Sequence, residues 1–254
     1  MSEFVIMPKE HYQGACDAIR EKTGGTDLIV SGDMESSIRG IQSGGIENPK
    51  VMTFNYLGGI TNIFYNYTFP DGCEEIVIDV ENPLRPEFGN AFREIKNIKK
   101  IIIRVKNIDP TVTYDLGNTF IGSSDLEEID LSGLEAEDGV YISSFSYSFC
   151  ECKSLKKIIG TLNLSRMTNV WAYNGGFVNV SSLEEIRFAK NSIARAYVGI
   201  YSHVLSDESI QSIIDGLMDL TDSETITINL SQTVKNKLTE EQIATITAKN
   251  WTLA

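Results

Sequence analysis

One pattern recurs through the middle of this chain: a phenylalanine, five residues, Leu or Ile, two residues, and then an Ile that begins an alternation. The phenylalanines of four copies follow one another at steps of 28, 29 and 28 residues; they are Phe92, Phe120, Phe149 and Phe177. A degenerate copy begins at Tyr67, 25 residues before Phe92. A near-constant period of this length is typical of repeat proteins, in which each unit stacks on its neighbours.

Within each copy the segment Leu-x-x-Ile-x-apolar alternates at its end, as a short half-buried strand does. Parallel strands stack about 4.8 Å apart, so equivalent side chains of successive copies would form buried columns. One copy has too little apolar surface to fold alone, and several must therefore stack. The sequence predicts a solenoid of short parallel strands.

A charged column supports the stacking independently. Two like charges follow the Leu-type position of each copy, and their sign changes at every copy. The pairs are Glu74-Glu75, Lys99-Lys100, Glu127-Glu128, Lys156-Lys157 and Glu184-Glu185. In-register stacking would place opposite charges side by side, whereas a shift by one copy would bring like charges together. Because exposed ion pairs contribute little free energy, we expect them to select the register rather than to drive folding.

The frame of the repeat resembles a known family. In the string YSFCECKSLKKI, the pattern F-x-x-C-x-x-L-x-x-I is similar to the core of BspA-type leucine-rich repeats. The copies NAFREIKNIKKI, NTFIGSSDLEEI and GGFVNVSSLEEI keep this frame. The resemblance implies an α/β leucine-rich repeat stack over residues 67–200, and it implies a packed thiol for Cys152. The insert Leu134–Ser148, and Gly160 at a normally apolar position, depart from the pattern.

The two ends of the chain do not follow the repeat. Residues 1–49 are predicted to form a small helical attachment segment with a linker, in which the glycine pair Gly24-Gly25 would end the first helix. A helical cap on the solenoid is the alternative role of this segment. Residues 50–66, rich in aromatic and β-branched side chains, are predicted to form a strand or hairpin cap. Residues 201–254 are predicted to form an α+β cap whose helices begin after Ser206 and Thr239.

Two terminal strings resemble bacteriophage sequences. YQGACDAIREKTGGTDLIVSGDMESSIRGI is similar to the N-terminal segments of tail- and baseplate-associated proteins, and EEQIATITAKNWTLA is similar to the close of phage-encoded repeat proteins. The resemblance implies a virion or prophage component that contacts other tail proteins through residues 1–49 and is compatible with a homo-oligomer. The first residues carry no signal-peptide pattern, which favours assembly in the bacterial cytoplasm. A bacterial cell-surface location is the alternative.

Charge and motifs exclude several classes of function. With 22 Lys+Arg against 35 Asp+Glu, the net charge of −13 argues against nucleic acid as a partner. No run of 18 apolar residues occurs, so we expect no insertion into a membrane. Cys150 and Cys152 lack the second ligand pair of a zinc site, and no nucleophile elbow or phosphate-binding loop is present. We therefore expect neither an enzyme nor a cofactor.

These observations favour a non-enzymatic binding or attachment protein that recognises a protein or a cell-envelope glycan. A structural component of virion assembly and a bacterial surface adhesin are the alternatives. The face that would meet the partner carries the outward residues of the strands, which mix apolar and charged groups without an aromatic stripe. These candidates are Val77, Asp79, Ile102, Arg104, Asp130, Ser132, Ile159, Thr161, Arg187 and Ala189.

Overall fold

The computed structural model describes residues 3–5, 50–56, 64, 69–80, 88–167, 175–193 and 198–254. The helices and linker predicted within residues 1–49 lie outside these ranges. Residues 3–5 form a short strand that pairs in parallel with residues 53–55. The first edge of the sheet is therefore occupied by the beginning of the chain.

The main element is a curled sheet of nine parallel strands. The strands are β1 (Glu3–Val5), β2 (Val51–Tyr56), β3 (Glu75–Val80), β4 (Lys100–Val105), β5 (Tyr114–Asp115), β6 (Glu128–Gly133), β7 (Val140–Ser144), β8 (Lys157–Asn163) and β9 (Glu185–Phe188). Across the sheet they lie in the order β1-β2-β3-β4-β6-β8, and β9 also pairs with β8. β7 and then β5 extend the sheet from the far end of β8.

The predicted apolar columns are confirmed by the register of the strands. Ile76, Ile101, Ile129 and Ile158 are level with one another, and all four are buried. The phenylalanine rings that begin the copies also form a stack. Centroids lie 5.6 Å apart from Phe92 to Phe120, 5.7 Å from Phe120 to Phe149 and 5.3 Å from Phe149 to Phe177. Burial of these columns supplies the main driving force of folding.

β2 extends the same columns by one more copy. Met52 and Phe54 are level with Ile76 and Ile78 of β3, and both are buried. The Phe64 ring stacks on that of Phe92 at 5.5 Å. The strand expected within residues 50–66 is thus present and runs parallel to its neighbour.

Two left-handed residues flank the stacked phenylalanine of each copy. They stand two positions before and two positions after the ring, and their φ angles lie between 52° and 74°. These residues are Asn90 and Glu94, Asn118 and Gly122, Tyr147 and Glu151, and Gly175 and Asn179. Between them the chain extends toward the next copy: the N–H of Phe120, for example, donates to the carbonyl of Ser148 at 2.9 Å. A second ladder of backbone hydrogen bonds thus joins the copies.

β8 accommodates Gly160 by a bulge. Gly160 has a φ of 109°, and Leu162 instead of Gly160 is level with Phe188 of β9. Leu162 is buried and fills the apolar column in place of the missing side chain. Beyond the bulge, the second half of β8 pairs with β7, which belongs to the insert Leu134–Ser148. Val140 of β7 is level with Leu162 of β8.

The C-terminal region combines three helices with a small parallel sheet. The helices are α1 (Asp207–Gly216), α2 (Gln232–Lys235) and α3 (Glu240–Ala248), and the strands are β10 (Val198–Ile200), β11 (Ile226–Leu230) and β12 (Trp251–Leu253), in that order across the sheet. Both predicted helix starts are confirmed: Ser206 caps α1, and Thr239 forms a capping box with Gln242 at α3.

Helix α1 closes the outer edge of β9. The hydroxyl of Ser209 accepts a hydrogen bond from the N–H of Ile186 at 3.0 Å, and the hydroxyl of Ser212 accepts from the N–H of Phe188 at 2.9 Å. Ser209 also donates to the carbonyl of Glu184. The helix thus satisfies polar groups that a further strand would otherwise pair, and the sheet ends here.

Candidate partner-binding face

The alternating charges stack as the sequence predicts. Lys99 lies 2.7 Å from Glu74, and Lys100 lies 2.8 Å from Glu128. Further ion pairs join Lys156 to Glu127 and Lys157 to Glu185 at 2.7 and 2.6 Å, and Lys50 extends the column beyond Glu74 at 3.2 Å. The hydrogen bond from Lys99 lowers the pKa of the Glu74 carboxyl, and Glu74 in turn raises the pKa of Lys99. We call this series of pairs the charge ladder.

On β3 and β4 the apolar part of the predicted face is closed. Val77 and Ile102 are level with each other and only 6% and 8% exposed. Two residues further along these strands, on the same face, Asp79 lies 3.9 Å from Arg104. The apolar positions of this half are therefore unavailable to a partner, whereas the Arg104 side chain stays 56% exposed beside Asp79.

The part of the face on β8 and β9 is open. Ile159 is 37% exposed although it is apolar, and Arg187, level with Thr161, is exposed with no ion pair among the described residues. Ala189 is half-buried just beyond β9. The structure thus brings Ile159, Thr161, Arg187 and Ala189 to one end of the sheet.

Asp130 and Ser132 have a local role. The Asp130 carboxylate accepts hydrogen bonds from the Ser132 N–H at 2.9 Å and from its hydroxyl at 2.6 Å, forming a turn at the end of β6. A register shift also places Gly133, and not Ser132, level with Arg104. The predicted row is therefore interrupted at this strand.

A groove of about 650 Å³ adjoins the open half of the face. One wall is the turn that precedes β7, the floor is the end of β8, and the other wall is the chain just after β9. Thr161 and Ala189 belong both to this groove and to the predicted face. The lining comprises Glu135, Ala136, Glu137, Asp138, Gly139, Tyr141, Thr161, Asn163, Ser165, Phe188, Ala189 and Lys190.

Hydrogen bonds hold the turn against the floor of the groove. The N–H of Thr161 donates to the Glu135 carboxylate, and the Asn163 side chain donates to the carbonyl of Asp138 at 2.9 Å. The Tyr141 hydroxyl donates to the Asp138 carboxylate at 3.0 Å, and this bond raises the pKa of Tyr141. The groove is thus pre-organised by contacts within the chain.

Sequence reasoning missed this groove, because it treated the insert Leu134–Ser148 only as a departure from the repeat. The signal was present in the string EAEDGVYISS, a polar run ending in Gly139 before a β-rich segment. Gly139 has a φ of 104° and bridges to Ala136, which closes the turn.

The buried thiol of Cys152 has a structural role. Its Sγ donates to the carbonyl of Phe120 at 3.0 Å, and one copy earlier the hydroxyl of Ser123 donates to the carbonyl of Phe92 at 2.7 Å. Burial raises the pKa of Cys152 to about 12, so the thiol stays protonated at neutral pH. This confirms the packed thiol. Among the described residues no cluster of His, Cys, Asp or Glu is suited to hold a metal ion.

In comparisons with known proteins, no family model, curated protein or solved structure matches this chain. None of the helices in the described ranges is long and apolar enough to cross a membrane.

Proposed function

We propose that this chain is a non-enzymatic binding protein that recognises a partner through the open half of its sheet face. One observation carries the proposal: the apolar positions of the face are buried on β3 and β4, whereas the face is open on β8 and β9. There Ile159 is exposed and Arg187 is unpaired among the described residues, beside a pre-organised groove. A rigid surface with unpaired polar groups is suited to binding because little of it must be ordered on association.

We further propose that the sheet is a leucine-rich repeat stack of BspA type. The in-register columns and the ring stack, which follow the period of the sequence pattern, support this proposal. In such a stack each copy contacts mainly its neighbours, which yields a long and regular face.

The setting that we propose is a phage tail or baseplate. The resemblance of the two terminal strings to phage proteins supports it. In this setting the chain is a virion or prophage component made in the bacterial cytoplasm, and residues 1–49 contact other tail proteins. The partner of the sheet face is then a protein or an envelope component of the host.

The test measures binding of the labelled full-length chain to intact bacterial cells and to isolated envelopes. We expect saturable binding that is lost in the double variant Ile159→Asp/Arg187→Glu and kept in Arg104→Ala, a change on β4. If Ile159→Asp/Arg187→Glu binds as well as Arg104→Ala and the parent do, the partner does not bind the open half of the face. A parent chain that binds nothing would overturn the proposal in favour of a structural role in virion assembly.

A further inference from the structure

We propose that the groove beside β8 binds one extended segment of a protein partner that carries both a basic and an acidic side chain. This inference rests on the proposed function and specifies where the partner is held and by which chemistry. A groove of about 650 Å³ lies within the range of roughly 300–1,000 Å³ that is usual for ligand sites.

The width of the groove follows from the order of the strands. β7 and β9 both pair with β8, at Val140 and Phe188 respectively, so the two walls stand on opposite sides of one strand. Neighbouring strands are about 4.8 Å apart, which separates the walls by roughly 10 Å. Because this is a distance between backbones, the free width is below the about 10–12 Å that a helix with its side chains needs, which leaves an extended segment as the occupant.

The two walls carry opposite charges that the fold itself leaves unused. Glu137 is exposed in the turn before β7, and Lys190 is exposed just after β9; neither is paired within the described part of the chain. Arg187, level with Thr161, adds a second positive charge on the side of Lys190. A partner segment with a basic side chain toward Glu137 and an acidic one toward Lys190 complements both walls.

The aromatic side chains of the lining favour a protein over a glycan. The guanidinium of Arg166 covers the ring of Tyr141, 3.4 Å from its centroid, and Phe188 is only 4% exposed. Among the described residues, the lining thus presents no open aromatic face against which a sugar ring could stack. The floor instead carries the hydroxyl groups of Thr161 and Ser165. The Ser165 hydroxyl donates to the Asn163 side chain at 2.6 Å, and its oxygen can still accept a hydrogen bond from a peptide N–H.

The test selects binders of the full-length chain from a library of random ten-residue peptides displayed on yeast. We expect enrichment of peptides that carry both a basic and an acidic residue. Their affinity should fall about tenfold for Glu137→Lys and for Lys190→Glu, since each change sets like charges against each other. Glu224→Lys and Lys96→Glu, at exposed positions outside the groove, are the matched controls and should bind as the parent does.

Three results would overturn the inference: no enrichment, enriched peptides without charged residues, or equal binding to the parent and the groove variants. Soluble envelope polysaccharide is assayed in parallel, and binding of polysaccharide that the groove variants lose would assign the groove to a glycan instead. If the groove variants keep binding to cells while Ile159→Asp/Arg187→Glu loses it, the proposed function stands and this inference fails. If the parent binds no cells, it is the proposed function that fails.

Discussion

At the scale of single residues, the backbone beside each stacked phenylalanine is under a constraint that few side chains tolerate. Asn118 has a φ of 57°, a left-handed conformation that costs most residues with a Cβ about 1–2 kcal/mol. Asn adopts it more readily than Ala does. We therefore expect Asn118→Ala to lower the free energy of unfolding by about 1 kcal/mol, measured by urea denaturation. Asn118→Gly is the control and should keep the stability of the parent; equal losses in both variants would refute the conformational explanation.

The sequence could predict which apolar side chains are buried, but not this left-handed pair. The columns follow from the period alone, since equivalent positions such as Ile101 and Ile129 must be level once the copies stack. The positive φ does not follow, because Tyr147 and Glu151 have no intrinsic preference for it. Hydrogen bonds to the next copy determine their conformation: the N–H of Glu151 donates to the carbonyl of Val178 at 2.9 Å.

At the scale of elements, the decisive contact is the one between α1 and the last strand of the main sheet. Replacing both hydroxyls in Ser209→Ala/Ser212→Ala leaves the N–H groups of Ile186 and Phe188 without the acceptors that the helix provides. An unsatisfied buried N–H costs about 1–3 kcal/mol, so we expect a loss of roughly 2–4 kcal/mol in the free energy of unfolding.

Hydrogen exchange measures the same contact directly. In the double variant the amides of Ile186 and Phe188 should exchange faster than in the parent, while the amide of Ile158 on β8 should be affected less. Gln211→Ala, on the exposed side of α1, is the control and should leave the exchange of β9 unchanged. Unchanged protection of β9 in the double variant would show that the helix does not hold this edge.

The sequence predicted the start of α1 at Ser206, and this start follows from a local capping rule. The sequence could not predict that Ser209 and Ser212 would accept hydrogen bonds from β9 in place of a neighbouring strand. These bonds depend on the tertiary position of the helix, which no local pattern encodes. The groove was missed for a related reason. Its walls come from the insert and from the chain after β9, which meet only because β7 and β9 both pair with β8.

At the scale of the whole molecule, the charge ladder connects all copies of the repeat. In the double variant Lys156→Glu/Lys157→Glu, the new carboxylates would face Glu127, Glu128, Glu184 and Glu185. We expect the melting temperature to fall by a few degrees at low salt. The loss should shrink in 1 M salt, where the screening length is about 3 Å. Lys96→Glu/Lys190→Glu changes the net charge equally outside the ladder, and an equal loss in this control would attribute the effect to net charge alone.

The ladder also predicts how stability depends on acid. The pKa of Glu74 lies below its ordinary value of 4.5 because Lys99, and then Lys50, pair with the carboxylate. A carboxyl whose pKa is lowered by folding stabilises the folded state above its unfolded pKa, and this contribution is lost as the pH falls through the folded pKa. We therefore expect Lys99→Met to lose less stability than the parent when the pH falls below about 4.5.

The difference between variant and parent is more informative than the parent curve by itself. At neutral pH the chain carries a net charge of −13, and acidification toward its pI of about 4.6 relieves this repulsion while the ladder is still intact. In the parent, relief of the charge repulsion raises the stability on acidification, and protonation of the ladder carboxylates lowers it. Only the second effect depends on the ion pair of Lys99. The measurement is the melting temperature of both proteins from pH 7 to pH 3, with Lys96→Met as the control for the loss of one exposed ammonium. If the melting temperatures of Lys99→Met and of the parent fall equally as the pH is lowered, the ladder, although formed, does not contribute to the stability of the stack.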